Sequence, residues 1–131
     1  MMTDPLADAL TRVRNALRAG HPDVVMPHSR LRESVLKRLL EAGYFRSVET
    51  VTDQKKKQLV VIFKYTADKK SLVTGIERVS RPGSRIYKGH SDIQPLMNGL
   101  GLYLISTPQG ILTDSEARQK KLGGEILCRV W

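Results

Sequence analysis

Residues 102–125 read LYLISTPQGILTDSEARQKKLGGE and hold two apolar runs, a turn and a helix start. The first four residues are a nearly continuous apolar run, typical of a strand, and Gly110 permits a tight turn into the apolar pair that follows it. Thr113, with Glu116 three residues later, has the pattern of a capping box, which predicts a small helix through Lys120. The segment therefore predicts two short strands and a helix, and a last strand is predicted after it.

The turn in this segment is made of small hydroxyl and glycine residues. Ser106, Thr107 and Gly110 stand where ordinary charged residues would have been enough for solubility, and Gly123-Gly124 precedes Glu125 downstream. Because glycine has no Cβ, another group can approach its backbone closely. The composition indicates a surface that something approaches, although an isolated pentapeptide of this kind is most often only a polar turn.

A basic segment lies upstream, around a Pro-Gly turn. Residues 78–88 gather four cations, two serine hydroxyls and an aromatic ring, which suits a phosphate backbone. We expect residues 73–79 to form a strand, and residues 84–88 to form a strand that returns beside it. Alternation would place Arg85 and Tyr87 on one face, where Tyr87 either stacks on a base or is a half-buried strand aromatic.

The first half of the chain predicts the order helix, strand, helix, strand, strand. Asp4 before Pro5 marks a helix start, and Ser29 is a candidate cap for the second helix. The residues predicted to face inward are Leu6, Leu10, Val13 and Leu17 on the first helix, and Leu31, Val35, Leu39 and Leu40 on the second. A hairpin is predicted from residues 44–48 and 59–65, with Lys55-Lys56-Lys57 at a tip that is typical of a solvated loop.

The composition predicts two small lobes and a polyanionic partner. Residues 66–71 have the polar composition of a connector, so we expect an α+β protein with an α/β lobe at 1–66 and a mostly β lobe with short helices at 67–131. Ser91 or Asp92 is expected to cap one of those short helices. The 131 residues include 22 Lys and Arg against 13 Asp and Glu, a net charge of +9, which favours nucleic acid.

Other partners and reactions find little support in the sequence. Apolar runs fall short of the roughly 20 residues that a membrane span needs, and no secretory signal is evident, so we expect a cytoplasmic protein without a membrane partner. The single cysteine, Cys128, is predicted to be buried and inert, and the histidines lack metal-ligand spacing. No nucleophile elbow or phosphate loop occurs. We therefore expect no catalytic residue, cofactor, metal or small-molecule substrate.

The two segments together resemble the signature of a bacterial ribosomal protein family, the eighth of the small subunit. The resemblance extends to residues 3–15 and to residues 99–101, so it covers nearly the whole chain. The chain departs from the family pattern at Pro108 and Gln109, which replace the more usual serine and lysine. This change removes one cation and stiffens the turn.

The resemblance implies direct binding to the central domain of small-subunit ribosomal RNA, mainly through residues 106–110. With the charge pattern, it assigns RNA binding to four groups of residues. They are Thr3, Asp4, Arg12, Arg14 and Asn15; Ser80, Arg81, Pro82, Arg85, Tyr87 and Lys88; Ser106, Thr107 and Gly110; and Arg118, Gly123, Gly124 and Glu125. Glu125 is expected to accept from a base or to orient neighbouring cations, with a structural turn role as the alternative.

The implied function is that of a structural component of the small ribosomal subunit. Such a protein holds an RNA junction in its folded form, assists assembly and has other small-subunit proteins as neighbours. One alternative is a free-standing regulator or chaperone, for example one that binds its own messenger RNA at a mimic of the same site. Another is a small enzyme acting on RNA, for which the sequence offers no catalytic arrangement.

Overall fold

The computed structural model describes residues 3–131, which divide into two compact units. One unit is Pro5–Thr74, and the other combines residues 3–4 with Gly75–Trp131. Within the described residues there are three α-helices and two antiparallel sheets. The predicted α+β class is therefore confirmed.

The unit Pro5–Thr74 has the predicted order of elements. They are helix α1 (Pro5–Arg18), strand β1 (Asp23–Pro27), helix α2 (Arg30–Glu41), strand β2 (Phe45–Asp53) and strand β3 (Lys56–Phe63). The sheet order is β1-β3-β2, with both pairings antiparallel. Helix α1 buries the predicted Leu6, Leu10 and Val13, whereas Leu17 is only half-buried.

The inward face of α2 differs from the prediction. Ser29 caps the helix as expected, because its hydroxyl accepts from the Arg32 amide at 3.1 Å. Leu31, however, is 40% exposed, and Arg32 and Leu36 are buried instead. The Arg32 guanidinium donates to the carbonyls of Pro5 and Pro27 and to the Asp8 carboxylate. A charge whose three nitrogens each donate to an acceptor can be buried. The predicted Val35 and Leu39 are buried, but hydrophobicity alone misplaced Leu31 and missed Arg32.

The β2–β3 hairpin is longer than the sequence predicted. Its strands run to Asp53 and Lys56, so the connection is a two-residue turn, Gln54-Lys55. Both turn residues have positive φ, at 46° and 67°, which matches the twist that tight hairpins require. The three tip lysines are exposed, but Lys56 and Lys57 belong to the strand.

The second unit contains five strands and one α-helix. They are β4 (Ile76–Arg78), β5 (Tyr87–Lys88), β6 (Leu102–Thr107), β7 (Gly110–Thr113), α3 (Asp114–Lys120) and β8 (Gly124–Val130). The sheet order is β4-β8-β6-β7, and β5 also pairs with β8. Both bonds of the capping box between Thr113 and Glu116 form at 3.2 Å. The hairpin, helix and last strand predicted around residues 102–125 are thus confirmed.

The segment before that hairpin was predicted wrongly in two respects. Strand β4 is shorter than residues 73–79, and β5 pairs with β8 instead of returning beside β4. The amides of Val79 and Ser80 donate to carbonyls of β8, so β8 takes up the hydrogen bonds that a hairpin would have used.

The expected cap at Ser91 or Asp92 is also absent from the described residues. Two short 3-10 turns form at His90–Asp92 and Leu96–Gly99, preceded by Gly89 and Pro95 without side-chain caps. Proline disfavours helical geometry in the residue before it, so Pro95 separates the two turns.

The alanine substitution of Gly124 should destabilise the protein. A Cβ at this position would lie 1.9 Å from the Ser106 carbonyl oxygen, so β8 and β6 would have to separate. We expect a loss of about 3 kcal/mol in the free energy of unfolding, measured by urea denaturation. Gly89→Ala is the control, because its Cβ would meet nothing closer than 3.9 Å. Equal stabilities for the two variants would contradict this account.

Candidate nucleic-acid interface

Three predicted residues lie side by side across the sheet of the second unit. Tyr87 on β5 and Ser106 on β6 are both paired with Glu125 on β8. Directly opposed residues of antiparallel strands project to the same face, so their side chains form one row. Tyr87 is 67% exposed, which rules out the half-buried alternative. The Ser106 hydroxyl has no hydrogen-bond partner among residues 3–131. We call these three residues the sheet row.

Glu125 organises the groups around the sheet row. One of its carboxylate oxygens accepts from the Ser80 hydroxyl at 2.6 Å and from the Arg85 guanidinium at 2.8 Å. The Ser80 hydroxyl in turn accepts from the Ile86 amide at 3.0 Å. The carboxylate therefore orients a cation, one of the two roles expected for it, and fixes the backbone just before β5.

The network shifts the ionisation of Glu125. Burial by itself raises the pKa of this carboxyl, but hydrogen bonds from Ser80 and Arg85 outweigh burial and lower the pKa below its ordinary value of 4.5. The hydrogen bond between Arg85 and Glu125 is also the main reason that the pKa of Arg85 is raised. Both groups are consequently charged at neutral pH.

The turn between β6 and β7 is shaped by Thr107. Its hydroxyl donates to the Gly110 carbonyl at 2.7 Å and accepts from the Gln109 amide at 3.1 Å. Gly110 has a φ of 101°, a backbone conformation that residues other than glycine rarely adopt. Pro108 and Gln109 are exposed at the tip. Thr107 thus stabilises the turn, and Ser106 beside it is left with an unused hydroxyl.

The two glycines before Glu125 have a structural cause. A Cβ on Gly123 would lie 2.5 Å from the Lys88 carbonyl oxygen, and one on Gly124 would overlap the Ser106 carbonyl. The backbones that approach them closely are therefore strands β5 and β6 of the same unit. The groups that approach these two glycines in the structure belong to the protein itself. The RNA contact expected at Gly123 and Gly124 stays a prediction.

The remaining predicted residues of this unit differ in accessibility. Arg81 and Lys88 are exposed, Pro82 is half-buried and Ser80 is fully buried, so the Ser80 side chain acts through Glu125. Arg118 pairs with Asp114 at 2.8 Å and donates to the Ile93 carbonyl, which ties it to α3 and its neighbour. Arg81 and Lys88 are the cations of this group whose side chains are most available to a ligand.

The predicted residues near the amino terminus fall into both units. Thr3 is exposed, and the Asp4 carboxylate pairs with Arg78 at 3.1 Å within the second unit. Arg12, Arg14 and Asn15 lie on α1 in the other unit, where Arg12 pairs with Asp8 at 2.9 Å. None of these three belongs to the sheet row.

Sequence reasoning missed the inward role of Arg78. Its side chain is 7% exposed and donates to the Leu127 carbonyl at 2.6 Å as well as pairing with Asp4. Its place among four clustered cations was the available signal, but that signal did not distinguish a cation that faces inward from those that face outward.

Other chemistry is limited in the part of the chain that the structure describes. Cys128 is fully buried, and burial raises the pKa of its thiol to about 12, so the predicted inert cysteine is confirmed. No group of three or more His, Cys, Asp or Glu among residues 3–131 could hold a metal ion. None of the helices in that range is long and apolar enough to cross a membrane.

Comparison with known proteins identifies the family. The family model described as Ribosomal protein S8 matches residues 4–131. The chain belongs to this family. It is 44% identical over 131 residues to the small ribosomal subunit protein uS8 of Solibacter usitatus, covering the whole of both chains. It is 43% identical to uS8 of Streptococcus gordonii and of Caldanaerobacter subterraneus, covering all of this chain and 99% of each relative. The family consists of ribosomal structural proteins and not of enzymes.

The substitution Glu125→Gln should weaken this S8-family fold in a pH-dependent way. A carboxyl with a lowered pKa contributes stability above its unfolded pKa, near 4.5, and that stability is lost as the pH falls through the folded pKa. We expect the variant to lose about 1.5 kcal/mol at pH 7 and the difference from wild type to shrink below about pH 4.5. Urea unfolding of the variant and of the wild type at pH 7 and at pH 4 measures this difference in stability.

Glu49→Gln is the matched control for that prediction. The Glu49 side chain is exposed on β2 and has no hydrogen-bond or ion-pair partner in residues 3–131, so its replacement should change little at either pH. A deficit for Glu125→Gln that is the same at pH 7 and pH 4 would contradict the stabilising role of the carboxylate charge.

Proposed function

We propose that this chain is a structural protein of the small ribosomal subunit that binds the central domain of small-subunit ribosomal RNA directly. It acts in the cytoplasm, within the ribosome and beside other small-subunit proteins. Membership of the S8 family and the ribosomal names of its relatives support the ribosomal role. The sheet row, together with the Arg85 guanidinium that Glu125 orients, carries the RNA contact. These residues set an exposed ring, an oriented cation and an unused hydroxyl next to one another.

The chemistry of the sheet row suits folded RNA. Helical RNA hides its base edges in a deep, narrow major groove, so proteins contact its minor-groove hydroxyls, its phosphates and its unpaired bases. The Ser106 hydroxyl can both donate to and accept from a ribose or a base edge. The exposed ring of Tyr87 offers a stacking surface, and Arg81 and Lys88 can meet phosphates.

A carboxylate inside an RNA interface needs a physical reason, since phosphates repel it. Glu125 has one, because its charge is already offset by Arg85 at 2.8 Å and by the Ser80 hydroxyl. The Glu125 carboxylate, which the Ser80 hydroxyl also bonds, holds Arg85 in one place before RNA arrives. Arg85 therefore loses less side-chain entropy when RNA binds than an unpaired surface arginine would lose. Glu125 thus acts on RNA through the cation that it orients.

Holding a junction folded follows from selective binding. A protein that contacts ribose, base and phosphate together binds the arrangement that presents all three, and it shifts the RNA equilibrium toward that arrangement. The assistance to assembly is this shift, without any chemical step.

Chemical footprinting on protein-free small-subunit ribosomal RNA tests the proposed function. We expect one compact protected region in the central domain, with strong preference over arbitrary duplex RNA at physiological salt. Diffuse protection, or equal affinity for the ribosomal RNA and for arbitrary duplex RNA, would contradict the proposal.

The variant Ser106→Ala should weaken binding to a central-domain fragment. It removes a hydroxyl that has no partner within residues 3–131, so the loss reports the RNA contact and not the turn. We expect a loss of about 1 kcal/mol, roughly fivefold in Kd, and a larger loss when Thr107→Ala is added. The triple change of Lys55, Lys56 and Lys57 to Ala should weaken RNA binding less than the Ser106→Ala/Thr107→Ala variant does at physiological salt, measured by fluorescence anisotropy. Equal losses of affinity in these two variants would refute the assignment of the RNA-contacting surface.

The cations of the second unit should contribute through salt-dependent binding. Arg81→Gln and Lys88→Gln each remove one exposed charge. For each, we expect the slope of log K against log salt to become shallower by about 0.9, because one fewer phosphate is neutralised on duplex RNA of similar charge density to DNA. Lys64→Gln, an exposed lysine of the other unit, is the control. Slopes unchanged in both variants would remove Arg81 and Lys88 from the interface.

A further inference from the structure

The unit Pro5–Thr74 carries an open groove that the sheet row does not use. Its volume is about 510 Å³, within the range of roughly 300–1,000 Å³ typical of small-ligand sites. The apolar part is formed by Ile62, Phe63 and Tyr65, at the end of β3 and just beyond it, and Arg46 and Lys69 also line the groove. The groove thus combines aromatic surface with two cations.

The Tyr65 ring is held in a fixed orientation. Its hydroxyl donates to the His21 carbonyl, and the ring meets Phe63 edge-on with centroids 6.5 Å apart. Phe63 packs in turn against Phe45, with centroids 5.9 Å apart. Tyr65 itself is only half-buried. A half-exposed ring that cannot swing away is a stacking surface that costs a ligand little ordering entropy.

The two cations lack side-chain partners among residues 3–131. Arg46 occupies the extra position of a β-bulge, between Phe45 and Ser47, so it has no opposite residue on β3. Bulges re-aim side chains and are common beside functional sites. Neither the Arg46 nor the Lys69 side chain has a hydrogen-bond or ion-pair partner in residues 3–131, and both residues are exposed.

The acids nearest in the sequence do not line the groove. Asp23 and Asp68 adjoin the lining residues Pro22 and Lys69, but neither carboxylate is among the described groups that line it. Two unpaired cations without a lining carboxylate favour an anionic occupant. The rigid ring of Tyr65, which lines the groove together with these charges, favours an occupant with a flat face as well.

We propose that this groove is a second RNA-binding site, which takes an unpaired nucleotide with its base stacked on Tyr65 and its phosphates at Arg46 and Lys69. The inference rests on the proposed RNA-binding function and adds a contact to single-stranded RNA. Every base has a flat π face, so stacking of this kind accepts any sequence. An acidic peptide would satisfy the cations but would leave the ring without a flat partner.

Nuclear magnetic resonance titration of the full chain with short oligoadenylate tests the proposal. We expect chemical-shift changes at Ile62 and Tyr65. The double variant Arg46→Gln/Lys69→Gln should bind more weakly, with a salt slope shallower by about 1.4, because two contacts to single-stranded phosphates are lost. Tyr65→Leu should lower the affinity by about 5- to 100-fold. Both cations are exposed, so the double variant keeps the proposal testable even if Tyr65→Leu fails to fold.

Lys56→Gln/Lys57→Gln is the matched control, because it removes two exposed charges from the same unit at the hairpin tip. Equal weakening in the two double variants, shifts confined to other surfaces, or tighter binding of a polyglutamate peptide than of oligoadenylate would overturn the proposal. Binding of the central-domain fragment is measured in parallel. Failure of that fragment to bind selectively, with groove shifts intact, would count against the proposed function and not against the groove.

Discussion

The candidate nucleic-acid interface of the second unit depends on the interactions of the Glu125 carboxylate. Glu125 lies on β8, the strand that pairs with β4, β5 and β6. One of its carboxylate oxygens accepts hydrogen bonds from both Ser80 and Arg85. If this charge is removed, Ser80 loses an acceptor and Arg85 loses the group that orients it. A single half-buried acid therefore determines where a cation and the start of β5 lie. In a strongly basic protein, such an acid has a structural use, because it holds the side chain of Arg85 in one orientation.

The close packing around β8 imposes a second constraint. Strands β5 and β6 approach β8 so closely at Gly123 and Gly124 that neither position has room for a side chain. This closeness is what brings Tyr87 and Ser106 next to Glu125. The glycines thus affect the interface indirectly, through strand spacing. The turn at Gly110 is different, because its positive φ and the open space around it reflect the conformation of the turn itself.

The positive charge of the chain is divided between internal and external uses. Arg32 and Arg78 are buried and donate to carbonyls and carboxylates within their own units, so they stabilise the fold and are not available to a polyanion. Arg81 and Lys88 in one unit, and Arg46 and Lys69 in the other, are exposed. The net charge of +9 therefore indicates the kind of partner, whereas burial decides which cations meet it. The two contacts that we propose differ in chemistry: the sheet row would meet folded RNA, and the aromatic groove would take unpaired nucleotides.

The sequence by itself determined the local features of this protein. The order of the helices and strands, the capping box of Thr113 and Glu116, the Ser29 cap and the burial of Cys128 followed from residues close together in the chain. The family followed from short motifs spread along nearly the whole chain. Only the tertiary structure decided that Arg32 is buried in place of Leu31, that β5 pairs with β8, and that Ser80 and Arg85 share the carboxylate of Glu125. The physical reason is range. Caps, turns and helical periodicity depend on hydrogen bonds and packing within a few residues, whereas strand partners and buried ion pairs depend on groups that folding brings together from far along the chain.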